Sequence, residues 1–251
     1  MDIIKRNFFR VIQNKVFGMS EDIEPMSKYK WNVLAKLAEI HGLGEYFANY
    51  ADIPVVGGLQ NLPDAGCSRM QNLLLHSRLK KIRKLEPMSD DSSIETLNFL
   101  DIIVQTTQTI LTNGLHFANI VRIGTFLRCD GDKIDFIKLE GWLNRLRLTK
   151  IAQLEASILI QTFGFDKDEI PFIKSITPKA YDIALEALDT PIVIKQDEWQ
   201  FHQSSGVFVS NNSKAMKKTF RNYKKYFFYA PIEVASCCVH RFENSISTLE
   251  E

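Results

Sequence analysis

One segment of the chain is apolar on almost every side of the helix that it would form. Residues 115–127 carry a single charge, Arg122, and their apolar side chains recur at helical spacing. Gly124 lies within this pattern and would let a neighbouring element approach closely. Because so little of such a helix is left for water, the segment predicts a core helix. Arg122 must then reach the surface along its stem or pair with a carboxylate such as Asp101 or Glu155.

Helical spacing also dominates the rest of the chain. Apolar residues recur every three or four positions over 4–16, which predicts an amphipathic helix. Ser27, just after Pro25, supplies a start signal for the next helix, and Gly164 supplies an end signal for a later one. The predicted fold class is mainly α, a single multi-helix domain of about nine or ten helices. A short extended or β-hairpin segment is expected near 190–212, where polar and apolar residues alternate.

We expect one helical domain over 1–251, because no linker separates independent units. The segment 51–66 holds three glycines and two prolines and is predicted to be an irregular connection. The other parts of this domain are N-terminal helices in 1–50, a central helical core in 67–189, and an extended arm with C-terminal basic helices in 190–251.

Composition argues against several classes of protein. The net charge of +1 creates no overall field that would recruit nucleic acid or a membrane. No segment approaches the roughly 20 apolar residues needed to cross a bilayer, and no membrane partner is expected. The four cysteines form no Cys-x-x-Cys pattern, which predicts reduced thiols and a cytoplasmic location.

Metal and cofactor chemistry finds little support in the sequence. The five histidines never pair at helical spacings of three or four residues, which argues against a helical metal site. Asp130, Asp132 and Asp135 are candidate ligands for a hard cation, but the further oxygen ligands of a calcium loop do not follow. Asp130-Gly131 is a preferred turn and Asp135 a suitable N-cap, so we interpret the segment as a turn before a helix. No metal, cofactor or catalytic residue is predicted.

Two basic segments are the candidates for a binding surface. The segment 214–225 carries six cations and no acid. A second basic strip, "RLKKIRK" over 78–84, belongs to a helix predicted over 64–85. Both segments suit a phosphate-binding or partner-binding face. The candidate binding residues are Arg78, Lys80, Lys81, Arg83, Lys84, Lys214, Lys217, Lys218, Arg221, Lys224 and Lys225.

The C-terminal basic segment also carries an apolar stripe, formed by Met216, Phe220, Tyr223 and Phe227 at helical spacing. Runs of charge are more often solvated faces than binding sites, so the pattern favours a helix docked by this stripe with its cations in water. A membrane-surface role would require the stripe to be free, which a compact fold would not leave.

Three segments, taken in their order, carry a family resemblance. The opening "FFRVIQNKVFG" is followed by "WNVLAKLAEIHGL", and a helical middle region covers 110–171. The C-terminal segment has aromatic residues followed by Tyr-x-Pro-x-Glu, here Tyr229, Pro231 and Glu233. Together these segments resemble the helical regions that flank the catalytic core in a bacterial family of nucleotidyltransferase-like proteins.

The same resemblance implies a catalytic core that this sequence does not match. Nucleotide transfer needs a glycine-rich turn followed by Asp-x-Asp or Asp-x-Glu, whose carboxylates hold Mg²⁺. The one plausible turn is "VVGG" at 55–58, and the stretch after it supplies just Asp64. The family pattern also implies an arginine at the position of Ala118 and an aspartate at that of Arg122. We interpret these departures as loss of the catalytic core.

These observations predict a non-catalytic helical interaction protein related to nucleotidyltransferase-like proteins. Its protein partner is unspecified, and a catalytic relative is one candidate. Two alternatives stay open: a degenerate relative that still binds a nucleotide or phosphate, and a weak nucleic-acid-binding module.

Overall fold

The computed structural model describes residues 2–51, 68–189 and 212–247, and within the last range the side chains of 219–240. In these ranges the chain forms ten α-helices and no β-strand, so the predicted mainly α class is confirmed. The helices are α1 (Ile3–Phe17), α2 (Lys28–Ile40), α3 (Leu73–Leu85), α4 (Ile94–Asn113), α5 (Phe117–Asp130), α6 (Phe136–Arg145), α7 (Thr149–Phe163), α8 (Ala180–Asp189), α9 (Asn212–Tyr226) and α10 (Pro231–Ser247).

Helix α5 is a helix of the core. It contacts α1, α4 and α7, and most of its residues are buried, among them Ile120 and Val121. A Cβ added at Gly124 would lie 2.9 Å from Leu159 Cδ2 and 2.9 Å from Phe165 Cζ, so a larger residue would force these side chains apart. The prediction of a core helix with a close approach at Gly124 is confirmed.

Aromatic side chains join α1 to α5 and α7. The ring of Phe9 on α1 lies 5.4 Å, centroid to centroid, from that of Phe117 on α5 and 5.7 Å from that of Phe163 on α7. Both pairs meet edge to face, an arrangement that aromatic quadrupoles favour. These contacts fix the three helices against one another.

Capping side chains set the starts of α6 and α3. Asp135 accepts a hydrogen bond from Lys138 N at 2.9 Å, so its predicted role as an N-cap of α6 is confirmed. Asn72 accepts one from Leu75 N at 3.0 Å and starts α3. The prediction of a helix over 64–85 is therefore wrong at residues 68–72, which are not helical.

Two predictions fall on residues outside the described ranges. The irregular connection in 51–66 and the extended segment near 190–212 lie there almost entirely, and so does Asp64. In the part of the chain that the structure describes, every helix is too short or too polar to span a bilayer.

Candidate interaction surfaces

The outward side of α9 combines aromatic and cationic side chains. Phe220 is 54% exposed, and in the turn after the helix Phe227 and Phe228 are 54% and 68% exposed. Arg221 and Lys224 are exposed as well, and Lys224 adjoins both Phe220, four residues earlier, and Arg221, three residues earlier, on this side of the helix. We call these five residues the α9 face.

The α9 face exists because a different stripe of the helix is buried. Thr219, Tyr223 and Tyr226 recur at i, i+4 and i+7, and all three are buried. Helix α9 packs on α4 and α10. The predicted docking stripe is therefore wrong for Phe220 and Phe227, which face solvent, whereas Tyr223 is buried as predicted.

Among the described cations of α9, Lys225 is turned away from the α9 face. Its Nζ lies 2.8 Å from Glu186 Oε2 on α8 and 5.6 Å from the ring centroid of Tyr226. Lys225 therefore links two helices. The remaining candidates on this helix have side chains outside the described ones: Lys214, Met216, Lys217 and Lys218.

Phe228 has a further cation beside it. Lys150 Nζ, from the first turn of α7, lies 4.1 Å from the centroid of the Phe228 ring, which is a cation–π contact. Phe228 also meets Tyr229 edge to face at 5.6 Å. Because Lys150 is exposed, it extends the positive charge of the α9 face toward α7.

The cations of α3 divide into two groups, and Arg83 faces inward. Its Nε lies 3.0 Å from Asp101 Oδ1 on α4, and its Nη2 donates to Ser68 Oγ at 2.6 Å. Asp101 is buried, and burial raises the pKa of its carboxyl although Arg83 and Ser68 act in the opposite sense. Arg83 therefore compensates a buried acid, which is a structural role.

Lys80, Lys81 and Lys84 form the outward group and are exposed. The ion pairs found within the described ranges involve none of the three. Arg78 is also exposed, but its Nη1 donates to the Arg145 carbonyl at the end of α6, at 2.9 Å. Of the predicted α3 cations, the three lysines are thus the ones directed wholly toward solvent.

Glu233 holds the start of α3 against α10 and α4. Its carboxylate accepts hydrogen bonds from the backbone N–H groups of Gln71 at 2.9 Å and Asn72 at 3.2 Å, and from Gln108 Nε2 at 2.9 Å. Glu233 is buried, so these donors replace water around the carboxylate. The family resemblance marks Glu233, but no spacing along the chain reveals donors so distant in sequence.

Two other buried titratable groups, Glu155 and His41, have fewer hydrogen-bond partners than Glu233. Glu155 on α7 is buried, and Thr107 Oγ1 donates to its Oε1 at 3.2 Å, while Oε2 has no partner among the described residues. Burial raises the pKa of this carboxyl well above its usual value. The rings of His41 and His116 lie 6.0 Å apart, and burial, assisted by His116, lowers the pKa of His41 to about 3. Glu155 favours its neutral form, and His41 is neutral at physiological pH.

The structure also tests the segment with three aspartates. Residues Gly131–Lys133 form a short 3₁₀ turn, in which Asp130 pairs with Lys133 at 2.7 Å. The interpretation as a turn before a capped helix is confirmed. Within the described ranges, no three histidine, cysteine or acidic side chains lie close enough together to hold a metal ion.

Arg122, the charge within the apolar run, is half-buried. Its Nη1 donates to Gln105 Oε1 on α4 at 3.0 Å. Asp101 is instead paired with Arg83, and Glu155 accepts its hydrogen bond from a threonine. The predicted pairing of Arg122 with Asp101 or Glu155 is therefore wrong.

Comparisons of the chain with protein-family models, with curated proteins and with solved structures gave no match. The resemblance to nucleotidyltransferase-like proteins accordingly stays a prediction.

Proposed function

We propose that the protein is a non-catalytic helical interaction protein and that the α9 face binds an acidic partner protein. The observation that carries the proposal is the exposure of Phe220, Phe227 and Phe228 beside Arg221 and Lys224. The non-catalytic part rests on the departures of the sequence from the nucleotidyltransferase pattern.

The composition of the α9 face suits the centre of a protein interface. Aromatic residues and arginine are enriched where partner proteins meet, and aromatic anchors supply many of the hot spots that alanine substitution reveals. Covering a phenylalanine side chain completely is worth roughly 1.5–3 kcal/mol, so a partner that covers three of them gains substantially. Arg221 and Lys224 favour an acidic surface, because complementary charge speeds association and disfavours basic partners.

The α9 face is also supported from behind. Tyr223 and Tyr226 anchor the helix in the core, and Lys150 contacts Phe228 from α7. A surface that is already held in place loses little conformational entropy when a partner binds, which favours affinity.

The test compares the wild type with the double variant Phe220→Ala/Phe227→Ala. An acidic protein captured on the wild-type chain from a lysate of the cells that make it is purified and titrated against both. The double variant should bind on the order of a hundredfold more weakly, because truncating an interface residue that contributes to binding costs more than about 1 kcal/mol and a factor of ten corresponds to about 1.4 kcal/mol. Equal affinities would overturn the assignment of the α9 face.

A matched control removes exposed apolar groups elsewhere. Tyr29 and Val33 on α2 are exposed and lie far along the chain from α9. The variant Tyr29→Ala/Val33→Ala should bind the captured protein as the wild type does. A loss in this control equal to that of the phenylalanine variant would show a general effect of exposed apolar surface.

Two assays address the other readings of the family resemblance. Nucleotide transfer with Mg²⁺ that disappears when Asp130 or Asp132 is replaced would contradict the non-catalytic part of the proposal. A nucleotide that raises the melting temperature would instead favour a degenerate nucleotide-binding protein, since a ligand of the native state stabilises it.

Single-stranded nucleic acid is a second candidate for the α9 face. Exposed aromatic rings beside cations supply base stacking and phosphate contacts in proteins that bind single strands. Titration of a fluorescent oligothymidine at several salt concentrations tests this candidate, because such binding weakens steeply as salt rises. Arg221→Gln/Lys224→Gln should then reduce the salt slope by about two. Undetectable binding at low salt would remove the candidate.

A further inference from the structure

A second exposed apolar surface lies on the outer side of α3. Leu73, Leu74 and Leu85 are 67%, 73% and 52% exposed, and Met88, just after the helix, is 76% exposed. The opposite side of α3 is buried against the core. Large aliphatic side chains exposed in this number on one helix mark a surface with an interaction role.

Lysines lie among these apolar side chains. At helical spacing, one row runs from Leu73 through Lys80 to Lys84, and a parallel row runs from Leu74 through Lys81 to Leu85. No acidic residue occurs over 69–85, and the exposed Asp90 and Asp91 lie beyond Met88 at the end of this surface. We call the two rows together with Met88 the α3 face.

The apolar surface continues onto α10. Asn72 Nδ2, at the start of α3, donates to Ser236 Oγ on α10 at 3.0 Å. Ser236 lies one helical turn from Ile232 on one side and from Val239 on the other, and both of these are exposed. The start of α3 and this side of α10 therefore adjoin.

We propose that the α3 face lies on an anionic lipid surface. The α3 face is the outer side of one helix. Its leucines and lysines are typical of helices that lie in a membrane interface, whereas protein interfaces enrich aromatic residues and arginine and are depleted in lysine. The expectation of no membrane partner depends on the lack of a segment that could span a bilayer, whereas a helix that lies in the interface needs no such segment, and α3 exposes its leucines.

Contact with such a surface satisfies both kinds of side chain. The leucines and Met88 leave water for the boundary between headgroups and acyl chains, while the lysines extend their stems and place their ammonium groups at lipid phosphates. Helix α3 is already folded and is fixed by the contacts of Arg83 and Glu233. The proposal is independent of the acidic protein partner, because the α3 face and the α9 face share no residue.

The test is co-sedimentation of the full chain with vesicles of phosphatidylcholine, either alone or with about 30% phosphatidylserine. The wild type should sediment with the anionic vesicles and not with the neutral ones, and high salt should release it. Lys80→Glu/Lys81→Glu/Lys84→Glu should lower the partition coefficient on the order of a hundredfold. Leu73→Ser/Leu74→Ser keeps the charge and should lower it on the order of tenfold.

A matched control reverses three exposed lysines elsewhere and changes the net charge by the same amount. Lys15→Glu/Lys30→Glu/Lys36→Glu on α1 and α2 should keep most of the vesicle binding, and circular dichroism should show all variants folded. Phe220→Ala/Phe227→Ala should bind vesicles as the wild type does, which separates this proposal from that of a protein partner.

Several outcomes would overturn the proposal. These are equal binding of the wild type to both kinds of vesicle, no binding to either kind, or an equal loss of binding in the control with reversed lysines on α1 and α2. A purified protein partner that binds the wild type but not the variant with reversed α3 lysines, without any vesicle binding, would assign the α3 face to a protein instead.

Discussion

Helices α3 and α9 present the same kind of charge to solvent beside different apolar residues. The α3 face sets leucines and a methionine among lysines, whereas the α9 face sets phenylalanines beside an arginine and a lysine. Among the described side chains, each helix also has a cation bound to an acid, Arg83 to the buried Asp101 and Lys225 to the exposed Glu186. Cations of equal charge therefore differ in two respects. A bound cation has either a buried or an exposed acid as its partner, and an exposed cation has either aliphatic or aromatic neighbours.

Removing the inner cation of α3 should have the largest effect on stability. Arg83→Met leaves Asp101 buried without its partner, and we expect the free energy of unfolding to fall by about 3 kcal/mol. Lys84→Met, one position along, removes an exposed cation and should leave that free energy nearly unchanged. Urea unfolding measures both, and equal losses would show that Arg83 is no more structural than its neighbour.

The buried Glu155 sharpens the comparison, because no cation compensates it within the described residues. Its folded-state pKa lies above the unfolded value near 4.5, so the folded protein retains a proton that the unfolded chain releases. Wild-type stability should therefore fall as pH rises above that unfolded value, by up to about 1.4 kcal/mol per pH unit, until the folded pKa is reached.

Replacing this carboxyl by an amide removes its titration. Glu155→Gln should be less sensitive to pH, and its stability relative to the wild type should increase as the pH rises from about 5 to about 7, by no more than about 1.4 kcal/mol per pH unit. Urea unfolding at the two pH values measures the change. A difference between variant and wild type that stays constant with pH would contradict the raised pKa.

Replacing phenylalanines by leucines tests whether binding at the α9 face requires aromatic rings. Phe220→Leu/Phe227→Leu gives α9 the aliphatic composition of α3 while keeping its charge. Affinity for the acidic protein partner should fall about tenfold, because aliphatic side chains offer less contact area and no ring interactions. Tyr29→Leu on α2 serves as the control in the same titration. Unchanged affinity of the leucine variant would assign binding to charge and general apolarity.

The bound cation of α9 should matter least. Lys225→Met breaks a pair with the exposed Glu186, and exposed ion pairs contribute about 0.5 kcal/mol or less. Thermal unfolding at low and high salt measures this small term, which salt should reduce further. A loss as large as that of Arg83→Met would refute the distinction between buried and exposed acids.

Local pattern predicts much of the fold but not the orientation of α9. The core position of α5 follows from its apolar periodicity, and Asp135 caps α6 through a backbone group three residues on, so local pattern predicts both correctly. Gly124 marks a close approach, but its neighbours Leu159 and Phe165 belong to distant parts of the chain. Helix α9 carries aromatic rings on several sides, so Phe220 and Tyr223 fit the same stripe. Packing in the fold selects a stripe that includes Thr219, which hydrophobicity alone ranks below phenylalanine.

The candidate surfaces depend on contacts that no local pattern contains. Arg83 and Lys84 are adjacent and equivalent in a charge run, and Asp101 on another helix makes them different. The leucines at the start of α3 fit an apolar stripe in sequence, yet the fold leaves Leu73 and Leu74 exposed and buries the side that begins at Leu75. Which side of a helix meets solvent is decided by its neighbours in space.

The carboxylate of Glu233 accepts its hydrogen bond from a backbone group 162 positions earlier, at Gln71. During translation, the residues that form α3 therefore emerge long before the group that fixes the start of this helix. At ordinary rates of synthesis the delay is on the order of ten seconds. A nascent chain can therefore complete the hydrogen bonds that hold the start of α3 only after the first turn of α10 has been synthesised and has left the ribosomal tunnel.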